Sequence, residues 1–222
     1  MSDTAPSPRT TIRRKPDRAH YDPPTIHAII DAAFVCHIAF AAGGSVHCLP
    51  TACWRDGEHL YIHGANGSRL IDSLLADECA VCITHLDGLV LARSAFRHSM
   101  NYRSVVIHGR FAAVDTEKDK EMAMAAFLEH VSPGRTAQVR PPNPAELAGT
   151  RILRLPLAEA AAKIRNWGPE DKPADLEIPV WAGVVPLALQ GGTAIPEAGS
   201  AARVGPVLPA ALAGQPQTAS AS

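Results

Sequence analysis

The chain has 222 residues, and 21 Lys plus Arg against 22 Asp plus Glu leave a formal charge of −1, which excludes a phosphate-tracking nucleic-acid binder with its clear basic excess. One domain of this length buries roughly 70% of its unfolded surface, so a hydrophobic core alone can hold it. Hydrophobic residues make up 46%, yet 19 Pro, 16 Gly and only 5% aromatic residues point to stretches that do not pack.

At the N-terminus Arg13, Arg14 and Lys15 are followed by no apolar run, so the start is not a secretory signal, and residues 1–14 are expected to be disordered. Nowhere does an apolar run approach the twenty residues of a spanning helix, so no membrane segment is expected. Asp22 caps a helix with Pro23 and Pro24 in its first turn and Ile26, Ile29 and Ile30 on one face. Residues 34–40, 45–54 and 59–63, separated by Gly-rich or Asp-Gly turns, form a three-stranded meander. Asn66 or Ser68 caps a second helix whose stripe is Leu70, Ile71, Leu74 and Leu75. Residues 79–85 read as a strand turned by Asp87-Gly88, and 102–114 as a long strand rich in Val and Ile. Thr116 with Asp119 opens a helix that Ser132-Pro133-Gly134 stops, and 135–144 is a loop. Residues 151–155 alternate as a strand, whereas 158–165 read as a helix on propensity. The sequence after 187 has no apolar period, which leaves 188–222 as a disordered tail and 15–187 as the one folded domain.

About six strands in meander order with two or three helices predict a mainly β fold: a small antiparallel barrel with helices at its rim. So small a barrel fills its own interior, and a ligand sits on an outer face, at a rim or between subunits. Five cysteines, Cys36, Cys48, Cys53, Cys79 and Cys82, are odd in number and set in apolar stretches, which predicts reduced thiols and a cytoplasmic protein. Cys79 and Cys82 have knuckle spacing, but strand residues three apart point to opposite faces, so they read as core thiols. None of the ten histidines stands in a metal-binding helical pair, and no metal site is expected. Phosphate loops, dinucleotide fingerprints and hydrolase elbows also lack their signals. The distinctive stretch is Tyr61-Ile62-His63-Gly64-Ala65-Asn66-Gly67-Ser68-Arg69: a strand end, a glycine-permitted turn, and a helix start bearing a hydroxyl and a guanidinium. Such a start suits a terminal phosphate; its plain alternative is an ordinary N-cap beside a solvated arginine.

Residues His63–Arg69, the run His98-Ser99-Met100-Asn101-Tyr102-Arg103-Ser104-Val105-Val106 and the segment Pro179-Val180-Trp181-Ala182-Gly183-Val184-Val185-Pro186-Leu187 together resemble the pyridoxamine 5′-phosphate oxidase-like, FMN-binding split-barrel superfamily, in the flavin-nucleotide-binding branch that includes the nitroimidazole-resistance proteins. The resemblance implies a six-stranded split barrel and a homodimer holding FMN in clefts between subunits. It implies that Ser68 and Arg69 bind the phosphate, with Asn66 in the same turn, and that Tyr61, Ile62 and His63 run beside the flavin. It further implies that Ser104 offers the cofactor a polar group and that Trp181 reaches the site, including that of the other subunit. Two departures weaken the case for vitamin B6 chemistry: Leu70 stands where true pyridoxamine phosphate oxidases carry a second basic residue, and 49–53 lack the basic residue that closes their second strand. The resemblance also implies an extended 158–165, against propensity. The expected function is an FMN-dependent oxidoreductase taking electrons from NAD(P)H or another reductant to a small acceptor, with His63 and His98 as candidate proton donors. A non-catalytic flavin-binding or regulatory module and a haem-handling barrel are the alternatives.

Overall fold

The computed structural model describes residues 4–200 and 205–213; the outermost parts of the two expected disordered ends, 1–3, 201–204 and 214–222, lie outside the described residues. Ten strands form one antiparallel sheet: β1 (Ala19–His20), β2 (Val35–Ala42), β3 (Ser45–Asp56), β4 (His59–Ala65), β5 (Cys79–Leu91), β6 (Ser99–Gly109), β7 (Ala112–Ala113), β8 (Thr150–Pro156), β9 (Ala160–Arg165) and β10 (Gly183–Pro186). The helices are α1 (Pro23–Asp31), α2 (Arg69–Ala76), α3 (Glu117–Val131) and α4 (Pro144–Gly149). The mainly β, split-barrel class is as expected. The strand count is ten rather than six, because β1, β7 and β10 add short pieces of two to four residues and residues 160–165 add β9.

Strands follow the order β1-β9-β6-β5-β2-β3-β4-β8-β7, with β10 joined to β5, and the two end strands do not pair with each other. The split lies in β3, whose first part pairs with β2 up to Ala52 while Cys53–Asp56 pair with β4. One strand therefore serves both halves, and the folded sheet closes over a common core. Inward positions at period two supply Ile38, Leu60, Ile62, Val81, Ile83, Val105, Ile107, Leu153 and Leu155. From α1 come Ile26, Ile29 and Ile30, and from α2 Ile71 and Leu74. Each such side chain contributes about 1.5–3 kcal/mol on leaving water.

Local signals account for most helix ends. The Thr25 N–H donates to Asp22 Oδ1 at 2.9 Å, and the Asp119 N–H to Thr116 Oγ1 at 3.1 Å, as expected of those caps. Three expectations differ. Asp87-Gly88 does not turn the chain: β5 continues through it, with a register shift against β6 between Leu86 and Gly88. Asp87 bulges there and takes both oxygens to Arg103, at 2.9 and 3.0 Å. The strand expected over 102–114 breaks after Gly109, whose φ of +156° and close approach to Leu155 Cδ1, 3.0 Å from a built Cβ, suit only glycine. The loop expected over 135–144 precedes α4, a helix closed by a reciprocal capping box between Asn143 and Glu146. The conflict over 158–165 is resolved as the resemblance implies and against propensity: Ala160–Arg165 is the strand β9, with Ala160, Ala161 and Ala162 buried.

The partner of β5 changes along its length. Ala80–Cys82 pair with β2, while Gly88–Leu91 pair with β10, so β10 completes a three-stranded arm with β5 and β6 beyond the bulge. At the N-terminus, residues 7–10 form a turn in which Thr10 is buried, and Arg9 bridges Glu78 at 2.8 Å and Glu159 at 3.1 Å. Past β10 the described residues have no regular structure; the Ser132 hydroxyl donates to the Val207 carbonyl at 2.9 Å.

Candidate functional site

The turn from β4 into α2 is pinned from one side. The Asn66 side chain donates to the Ala148 carbonyl at 2.6 Å, and its N–H to the Gly149 carbonyl at 3.3 Å, so this residue anchors the turn to the end of α4. Gly67 follows at φ +75°, a conformation other residues adopt at a cost, with nothing within 4 Å of a built Cβ. Ser68 then occupies the N-cap position, but its hydroxyl makes no cap bond. That oxygen is left available beside the first N–H groups of an eight-residue helix. Arg69 opens α2, exposed, with no carboxylate within ion-pair distance among the described residues. Open glycine, hydroxyl and guanidinium thus occupy consecutive positions at one helix start, the residue types from which an anion site is built. Leu70 packs against the core instead of adding a second cation.

Upstream on β4 the faces separate. Ile62 is fully buried in the main core, and its backbone pairs with Cys53 and Leu153. Tyr61 and His63 face outward, where α3 covers them. Trp54 stacks on Tyr61 with ring centroids 5.8 Å apart, and Phe127 of α3 lies 5.0 Å from Trp54 and 5.3 Å from His63. Burial among these rings pushes the His63 pKa down, so its imidazole is neutral at pH 7. Two polar nitrogens under the helix, Trp54 Nε1 and His63 Nδ1, have no hydrogen-bond partner among the described residues.

Other expected residues stand elsewhere. Ser104 lies on β6, its hydroxyl 3.3 Å from the Lys163 carbonyl, and β5, β2 and β3 separate it from β4 in the sheet. His98 is exposed just before β6, its Nδ1 3.0 Å from the Ser94 carbonyl. Trp181 is 64% exposed and flanks Gly183, where a Cβ would meet its ring at 3.0 Å. Asn66, Ser68 and Arg69 thus share one turn, Tyr61 and His63 precede it on β4 beneath α3, and Ser104, His98 and Trp181 belong to β6, the residue before it and the segment before β10.

Sequence reasoning missed the outer face of β3, β2, β5 and β6. Paired positions align Pro50, His37, Cys82 and Val106 in one row and Cys48, Ala39, Ala80 and His108 in the next. His37, Cys48 and Pro50 are exposed, and Cys82, expected in the core beside Cys79, is half-exposed on this face. The signal was there: β2 is apolar at both parities (Val35, Cys36, Ile38, Ala39, Phe40, Ala41), the mark of a strand meant to be covered on both sides. A cleft of about 310 Å³ lies on this face, lined by Arg9, Phe40, Val46, Cys79 and His108 among others. Among the described residues, no group of three His, Cys, Asp or Glu side chains is placed to hold a metal ion, and no helix is long and apolar enough to cross a membrane.

Comparison with known proteins places this geometry. The structure of the flavocytochrome Anf3 from Azotobacter vinelandii is similar at 34% identity and a TM-score of 0.85, over 94% of this chain and 96% of that one. The FAD- and haem-binding protein from Mycobacterium smegmatis is similar at 31% identity and a TM-score of 0.80, over 87% and 95% of the two chains. A 5-nitroimidazole antibiotic resistance protein of Bacteroides thetaiotaomicron, so described provisionally, shares the fold at 19% identity and a TM-score of 0.55, over 66% of this chain and 86% of that one. No curated protein sequence matches. The family model for pyridoxamine 5′-phosphate oxidase matches residues 22–164, from the α1 cap to β9, and the chain belongs to that family.

Proposed function

We propose that the chain binds a flavin nucleotide in a cleft shared by two copies and, in the cytoplasm, passes electrons from a reductant such as NAD(P)H to a small acceptor. The observation that carries this reading is the β4–α2 turn, where the Ser68 hydroxyl makes no cap bond beside an exposed Arg69 in a chain of this family. Bound flavin supplies the redox chemistry, and the protein binds and orients it. Arg69 and Ser68 hold a phosphate, a terminal one if the flavin is FMN, and Asn66 keeps the turn in place. His63, kept neutral by burial, offers an imidazole nitrogen to the flavin side of α3. Ser104 and Trp181 stand on other parts of the sheet, on β6 and just before β10, and a cofactor held between two copies is the arrangement the resemblance implies for them. The uncovered face of β2, β3, β5 and β6 supplies an apolar surface for that contact.

A second reading, a haem bound alongside the flavin, is favoured by the two relatives above 30% identity, one a flavocytochrome and the other an FAD- and haem-binding protein. Axial ligation needs an accessible imidazole. His37 and His108 both face outward on the uncovered sheet face, with no hydrogen-bond partner among the described residues. The absorbance spectrum of the purified protein separates the readings: flavin bands alone, flavin bands with a Soret band, or neither. Chromatography of the released cofactor distinguishes FMN from FAD, and anaerobic NADPH that leaves the flavin bands intact marks a binding module without turnover of that reductant. A protein that purifies without flavin and takes up neither FMN nor FAD refutes the proposal.

A further inference from the structure

At the other end of β4, a seven-residue strand about 20 Å long, lies a cavity of about 350 Å³ that none of the flavin residues line. We propose that this cavity binds a small organic cation, an apolar ring or chain carrying a protonated amine, at a site separate from the flavin. Its volume falls within the range of small-molecule pockets. The walls are apolar: Ile26 and Pro23 of α1, Tyr21, and Pro156 and Leu157 after β8. Polar groups converge from one side only. His27 of α1, Glu58 of the β3–β4 turn and His59 at the start of β4 meet there, with His27 Nε2 3.4 Å from Glu58 Oε2.

These groups fix the sign of the ligand. No Lys or Arg lines the cavity, and its polar side chains are a carboxylate, two imidazoles and the Tyr21 hydroxyl, each able to accept a hydrogen bond. A phosphate or a carboxylate would lie against Glu58 with no Lys or Arg to offset it, so the site disfavours a flavin phosphate and a haem propionate. An ammonium group gains the carboxylate and imidazole lone pairs while its apolar part covers the prolines and Ile26. The remaining wall is Pro6, from the N-terminal segment. That segment is fastened where the Ser7 hydroxyl and Arg9 Nε both donate to Glu159, at 2.5 and 3.1 Å, and where the Ile12 N–H donates to the Tyr21 hydroxyl at 3.0 Å. A stretch free of helix and strand is thus held against the barrel by side-chain bonds, with Pro6 on the cavity wall.

The test titrates the full chain with benzylamine, benzyl alcohol and benzoate, three probes of one shape and different charge, followed by the NMR signals of His27 and His59. Benzylamine is expected to saturate at about 1 mM, benzyl alcohol more weakly, and benzoate not at all. Glu58→Gln, in an exposed turn, should weaken benzylamine about two- to fivefold and leave benzyl alcohol unchanged. Ala158→Trp, or Pro6→Trp from the opposite wall if the first fails to fold, should abolish binding of both. Benzoate binding as tightly as benzylamine, no saturation by any probe below about 10 mM, or unchanged benzylamine affinity in a folded tryptophan variant would overturn the proposal. None of these outcomes depends on whether flavin binds at Ser68 and Arg69.

Discussion

Replacing Arg69 with alanine tests the phosphate site directly. The guanidinium is exposed, so its charge-assisted hydrogen bonds to a phosphate fall at the lower end of their range, about 1.5 kcal/mol, and Arg69→Ala should weaken FMN binding about tenfold. Ser68→Ala should act in the same direction by about 1 kcal/mol, or about fivefold. Because the Ser68 hydroxyl makes no cap bond, that substitution should leave the thermal midpoint unchanged, unlike the loss of a working N-cap, which costs about 1 kcal/mol. The assay is fluorescence titration of cofactor-free protein with FMN and with riboflavin. Riboflavin lacks the phosphate, and its affinity should be the same in wild type and both variants, whereas a general loosening of the fold would weaken both ligands alike. Arg69→Ala with FMN affinity within twofold of wild type and an intact fold would refute the phosphate site at this turn.

Gly64→Ala should destabilise the protein by about 1–3 kcal/mol in chemical denaturation, because the added Cβ would lie 3.1 Å from two carbons of Ile71, itself fixed in the core. Cys79→Ala should cost about 1–2 kcal/mol and Cys82→Ala less than about 0.5 kcal/mol, since only the first is buried in the core; equal costs in parallel urea titrations would contradict that placement. His63 has a pKa below the usual histidine value because burial disfavours its charged ring. Protonation therefore favours the unfolded chain: stability is flat above about pH 6.5 and falls as the pH drops below it. Stability measured from pH 7 to pH 5 should fall less in His63→Phe than in wild type, and identical profiles would remove His63 from the account.

Features written within one turn of sequence were legible. Asp22 before a Pro-Pro pair and Thr116 three residues before Asp119 mark their helix starts because each cap closes over three residues. The same logic applied to Asn143 and Glu146 marks α4 too, although prolines at 141, 142 and 144 give the stretch the look of a loop. Where tertiary contacts decide, local reading fails. Three successive alanines favour a helix, yet at 160–162 they are strand, paired with Val105, Val106 and Ile107 of β6 and buried there. Asp87-Gly88 has the composition of a turn, but Arg103 on the adjacent strand holds the aspartate as a bulge. The same limit governs the site: Ser68 and Arg69 follow from a local pattern, whereas the burial of Tyr61 and His63 depends on which outer face α3 covers.

The change of partner along β5 sets an order of events during synthesis. Its first half finds β2 already made, but Gly88–Leu91 must wait for Gly183–Pro186, which follow β6, α3, β8 and β9 in the chain. Until then the outer half of β5 presents one open edge, with Leu89 and Leu91 along it, to any neighbouring nascent chain. A stop codon or proteolytic cut just before residue 183 would therefore leave the barrel core complete while exposing a sticky strand. Such truncated chains should be lost to aggregation rather than to unfolding.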